Sequence, residues 1–135
     1  MIVVDSSALV AILLGERDAD QLRDRLAHEA GAALSVANYV EAGQVLAQRK
    51  PDSIGATLVD FHTFLQTAMI TLAAVDEAQA RVALAARIKY GRGFGHPARL
   101  NYSDCFAYAL AKTRGLPLLY KGNDFTHTDI VSALS

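Results

Sequence analysis

The sequence predicts an α/β chain built on a mostly parallel sheet, and three features carry that prediction. Short apolar strands alternate with helical stretches from Ile2 onward, as successive βα units require. Asp5 follows the first strand directly, and Asp124 lies just past the last clear one. Asp104 stands in the first turn of a helix. In a parallel α/β sheet helices start from the edge toward which strands run, so these acids share one edge.

The elements follow in order. Ile2-Val3-Val4 is a short β-branched strand that Asp5 ends, and Ser6-Ser7 offers a cap. Ala8 to Leu14 is helical and apolar nearly all round, so it needs cover on both sides, from its own domain or from another chain. Gly15 stops it, and Glu16 to Ala30 reads as an amphipathic helix with Leu22 and Leu26 inward. Ala32-Ala33-Leu34 predicts a second strand, and Ser35 caps a helix over Val36 to Leu46. Glu41 stands there between Ala37 and Val45, its neighbours one turn away on either side. A charge on so apolar a stripe calls for a cation or a partner.

Pro51 and Asp52 open a helix to about Thr67 with Leu58, Phe61 and Leu65 inward, and Met69 to Leu72 predicts a third strand. Asp76 to Tyr90 is a long Ala-rich helix leading into a Gly-rich loop, 91–99. Asn101 and Ser103 are cap-type residues ahead of a helix over 102–114, with Gly115 at its stop. Leu116 to Tyr120 predicts a buried strand, Gly122-Asn123 breaks it, and Ile130-Val131 is a candidate edge strand.

At 135 residues the chain is expected to be one domain, 1–135. Its 52% hydrophobic share and mean hydropathy of +0.19 leave apolar surface for a partner beyond a generous core. A net charge of -1 excludes a global attraction to nucleic acid, so a polyanion needs a local patch or a metal. Cys105 is the only cysteine, which excludes a disulfide framework and a Cys-based zinc site. The start carries no basic leader, and Ala8 to Leu14 is far short of the roughly 20 residues that span a bilayer, so the expected setting is cytoplasmic.

Asp5, Glu41, Asp104 and Asp124 are thus candidates for one site. Clustered carboxylates repel one another and are tolerated only with protons or divalent cations between them. Oxygen ligands without cysteine or histidine favour Mg2+ or Mn2+, which polarise water and stabilise charge on phosphoryl oxygens. Singly, Asp104 reads equally as a helix-start residue, Asp124 as a turn residue and Asp5 as a cap.

At these residues the sequence resembles a known family. Val3 to Leu9, Asn38 to Glu41, Leu100 to Ala111 and Leu119 to Phe125 are similar to the four acidic motifs of PIN-domain ribonucleases, and most closely to the VapC toxins. The resemblance implies a PIN-like α/β/α sandwich around a mostly parallel central sheet of four to five strands. It implies a Mg2+- or Mn2+-dependent endoribonuclease, toxin of a toxin–antitoxin pair, that cuts tRNA or rRNA, forms a homodimer and is blocked by a VapB-like antitoxin. Residue by residue, Asp5, Glu41, Asp104 and Asp124 match the acidic positions, and Ser6 matches the hydroxyl residue after the first acid. Asp129 matches a further acid, with a cap or turn as its plainer reading.

Arg87, Lys89, Arg92 and Arg99, with His96 among them, flank the Gly-rich loop and read either as an RNA-contacting rim or as solvated surface. Lys121, close to the site, reads as an ion pair or a substrate contact. The alternatives are a non-catalytic PIN-like binding module and a phosphoaspartyl protein. The latter is disfavoured, since its phosphatase form needs a second Asp where this chain has Ser7.

Overall fold

A computed structural model describes residues 1–134. The elements are β1 (Ile2–Val4), α1 (Ser6–Leu13), α2 (Ala19–Ala27), β2 (Ala32–Ser35), α3 (Val36–Arg49), α4 (Ile54–Thr67), β3 (Ile70–Ala73), α5 (Glu77–Tyr90), α6 (Asp104–Arg114) and β4 (Leu118–Leu119). The four strands pair in the order β3-β2-β1-β4, every neighbour parallel. The fold class read from the sequence is therefore the one observed.

Strand alternation divides the core in two. Ile2, Val4, Ala32, Leu34, Ile70 and Leu119 point to one face, where they meet Leu9, Ile12, Leu22, Leu46, Phe61 and Leu65 from α1 to α4. Val3, Ala33, Ala73 and Leu118 point to the other and meet α5 and α6. Ala107, Ala109, Leu110 and Ala111 are each at most 1% exposed, which lets α6 lie flat on the sheet. The apolar helix α1 finds cover inside this chain, against α2 and α3, with Val10, Leu13 and Leu14 left partly exposed.

Several boundaries differ from the sequence reading. The cap of α1 is Asp5, the second cap reading that the sequence offered, rather than Ser6-Ser7, because the carboxylate accepts the Ser7 N–H and draws the helix start back to Ser6. The second helix is shorter than 16–30, since Gly15 at φ 65 and a turn over 16–18 precede it. Helix α3 runs on to Arg49, as no breaker intervenes before Pro51. Met69 adopts φ 56, so β3 begins at Ile70. Strand β4 contracts to two residues, and the strand expected at Ile130-Val131 amounts to a single parallel bridge between Leu118 and Ser132. Among the described residues no helix is long and apolar enough to cross a membrane.

Candidate active site

Four segments deliver one acid each to the sheet edge where the parallel strands end. Asp5 leaves β1 and is 1% exposed; its Oδ2 accepts the Ser7 N–H at 3.0 Å, and its Oδ1 is buried without a hydrogen-bond partner. Asp104 opens α6 and is 6% exposed. It forms a reciprocal pair with Asn101: its N–H donates to Asn101 Oδ1, and the Asn101 N–H donates to its Oδ2, both at 3.0 Å. Glu41, half-buried in the second turn of α3, accepts from Ser6 Oγ at one oxygen and from Ser103 Oγ at the other. Asp124 lies exposed in the loop after β4.

All four acids line one open cavity of about 390 Å³, with Ser6, Ser7, Asn101, Glu16 and Lys121 around them. Their fields overlap. Burial first, then the charge of Asp5 with those of Asp124 and Glu41, pushes the Asp104 carboxyl up to about 7 against the hydrogen bond from Asn101. Burial also lifts Asp5 to about 6, with Glu41 adding to it and the hydrogen bonds of Ser7 opposing it.

An all-oxygen donor set, with a buried carboxylate oxygen left unpaired, suits a hard divalent cation. No three of the acids yet converge at ligand distance among the described residues. Serine hydroxyls donate to both oxygens of Glu41, and backbone N–H groups donate to one oxygen each of Asp5 and Asp104.

The remaining sequence candidates lie elsewhere. Asp129 is outside the cavity; it accepts from the hydroxyls of Tyr108 at 2.6 Å and Tyr90 at 3.4 Å and pairs with Lys112 at 3.0 Å, anchoring the C-terminal segment to α5 and α6. Arg87 donates to the carbonyls of Arg92 and Leu100 and stacks over Phe94, so its guanidinium braces the Gly-rich loop. Lys89 lies over the Tyr90 ring, while Arg92 and Arg99 are exposed. Lys121 reaches the cavity wall but is paired with Glu16 and, at 3.5 Å, with Asp18.

Sequence reasoning did not single out Glu16, Asn38 or Ser103 for the site. Asn38 is fully buried, and its Nδ2 donates to the Ser103 carbonyl at 2.9 Å. The available signals were an asparagine on a buried helix face and two cap-type residues, Asn101 and Ser103, where one cap suffices.

The PIN domain family model matches residues 2–131. Ribonuclease VapC42 of Mycobacterium tuberculosis is 48% identical over 128 residues, covering 95% of each chain. Two solved structures share the architecture over nearly the full length. Mycobacterium tuberculosis VapC20, described as a Sarcin-Ricin loop cleaving toxin, superposes at TM-score 0.76 with 16% identity over 97% of both chains. A toxin-antitoxin complex from Klebsiella pneumoniae superposes at TM-score 0.71 with 19% identity, over 100% of this chain and 98% of the other.

Proposed function

The chain belongs to the PIN domain family, among its VapC ribonucleases, and on that premise we propose that Asp5, Glu41, Asp104 and Asp124 make it a Mg2+- or Mn2+-dependent endoribonuclease. The observation that supports this reading best is the shared cavity, in which Asp104 senses the charge of the other three acids. The four acids would hold the ion directly or through water. When bound, such an ion polarises water for attack on a phosphodiester and balances charge on the phosphoryl oxygens.

The chain's own residues prepare that chemistry. The reciprocal bonds between Asn101 and Asp104 fix the first turn of α6, so the Asp104 carboxylate is presented without freedom to turn away. Asp5 is held at one oxygen by the Ser7 N–H, leaving the other available for an ion. Val10 and Val45 supply an apolar wall that strengthens electrostatic interactions inside the cavity. Ser6 orients Glu41 through one hydrogen bond.

The biological reading is the toxin half of a VapBC-type pair, acting on tRNA or rRNA in the cytoplasm. The Klebsiella neighbour supports an antitoxin partner by its description as a toxin-antitoxin complex. Exposed Val36 and Val40 on α3, close to Glu41 in sequence, offer apolar surface to an antitoxin or to a second copy in a homodimer. Arg92 and Arg99 remain free to meet RNA phosphates, whereas Arg87 is already engaged.

The test is cleavage of a labelled tRNA and rRNA mixture in Mg2+ by the purified parent and the Asp5→Asn and Asp124→Asn variants. The parent cuts and both variants fall by at least about 100-fold, the scale of losing an electrostatic element of a catalytic site. Undiminished cutting by both variants rejects the mechanism. A parent that takes up no Mn2+ and cuts nothing favours the binding-module alternative.

A further inference from the structure

The Ser103 hydroxyl sits at the helix-start position of α6, yet it makes no capping hydrogen bond. Asn101 has taken over that duty by accepting the Asp104 N–H. The freed hydroxyl lies against two acceptors at once, Glu41 Oε2 and, at 3.0 Å, Asn101 Oδ1. A hydroxyl carries one proton and can donate to only one of them at a time. The residue is also held from behind, since the buried Asn38 donates to its carbonyl at 2.9 Å.

We propose that Ser103 is a positioning residue for Glu41, a rotor whose single proton alternates between the Glu41 carboxylate and the Asn101 amide oxygen. In the metal-free chain the proton goes to Glu41 and, with Ser6 on the other oxygen, keeps that carboxylate in the cavity against repulsion from Asp5 and Asp104. Were a divalent cation to draw on Glu41, the hydroxyl would turn to Asn101, so the half-buried donor would keep an acceptor. The fixed carbonyl of Ser103 keeps the rotor centred while its hydroxyl turns. Without the hydroxyl, Glu41 is half-buried on an open cavity rim and turns toward water. The inference rests on the metal-dependent reading above and concerns only how this chain presents one of the four acids.

The experiment has two arms. In EDTA, melting temperatures of the parent, Ser103→Ala, Glu41→Ala and the double variant form a thermodynamic cycle. The double variant's shift is expected to differ from the sum of the single shifts; strict additivity overturns the contact, with metal playing no part. In the second arm, calorimetric Mn2+ titration of the apo protein is expected to give about tenfold weaker binding for Ser103→Ala, with Ser103→Thr restoring it. Equal affinity in the parent and Ser103→Ala, or a threonine variant as weak as alanine, overturns the positioning role. Absence of Mn2+ uptake by the parent itself refutes the functional reading and this inference with it, and is distinguished from the other failures by the parent titration alone.

Discussion

Replacing Asp104 by asparagine removes a charge that the fold holds at a cost, so in chelator the variant is expected to melt above the parent chain. The Asp104 carboxyl is raised from 3.8 to about 7, by burial first and then by the charge of Asp5. One pKa unit is worth about 1.4 kcal/mol, so the ionised group opposes folding by up to about 4 kcal/mol. Relaxation of an open, partly hydrated cavity reduces that to roughly 2–3 kcal/mol, or roughly 5–10 °C in Tm for a domain of this length. The amide oxygen can still accept the Asn101 N–H, so the helix start survives. Between about pH 4 and pH 7 the folded carboxyl keeps a proton that the unfolded chain has released. Parent stability therefore falls as pH rises through that window and levels off above it. Differential scanning calorimetry in EDTA at pH 5 and pH 8 reads the effect: roughly 40% of the gap at pH 5 and nearly the full gap at pH 8. A variant that melts at or below the parent at pH 8, or a gap that does not widen with pH, refutes the account of a frustrated acidic cavity.

Other outcomes follow from the same structure. Mn2+ affinity of the parent, measured by calorimetry, is expected to climb from pH 5 to about pH 7 and flatten beyond, because protons on Asp5 and Asp104 compete with the ion. A pH-independent affinity refutes that competition. Gly115→Ala should cost about 1 kcal/mol in urea unfolding, since the residue ends α6 at φ 64, where a side chain is strained. Asp129→Ala should lower Tm by loosening the C-terminal segment from Tyr108 and Lys112, yet leave Mn2+ affinity unchanged; weakened Mn2+ binding would place it in the site after all. Leu34→Ala, at a fully buried strand position, should cost about 2–5 kcal/mol in the same unfolding assay.

The sequence by itself determined the α/β class, the mostly parallel sheet implied by alternating elements, and which acids share an edge. Those follow from local rules: the β-branched strand Ile2-Val3-Val4 ended by Asp5, the helix stop at Gly115, and the placement of Asp5 and Asp104 at a strand end and a helix start. Boundaries slipped where a side chain served a distant partner or a competing local one. Asp5 displaced the serine cap, and Lys121 engaged Glu16 and Asp18 more than 100 residues away, a contact no local pattern encodes. Tertiary packing alone decided that Arg87 braces a loop, that Asp129 holds the tail, and that Ser103 faces Glu41 across 62 positions. The physical reason is that propensity and periodicity report a residue's own turn or strand, whereas a hydroxyl's single proton goes to whichever acceptor the folded chain brings within reach.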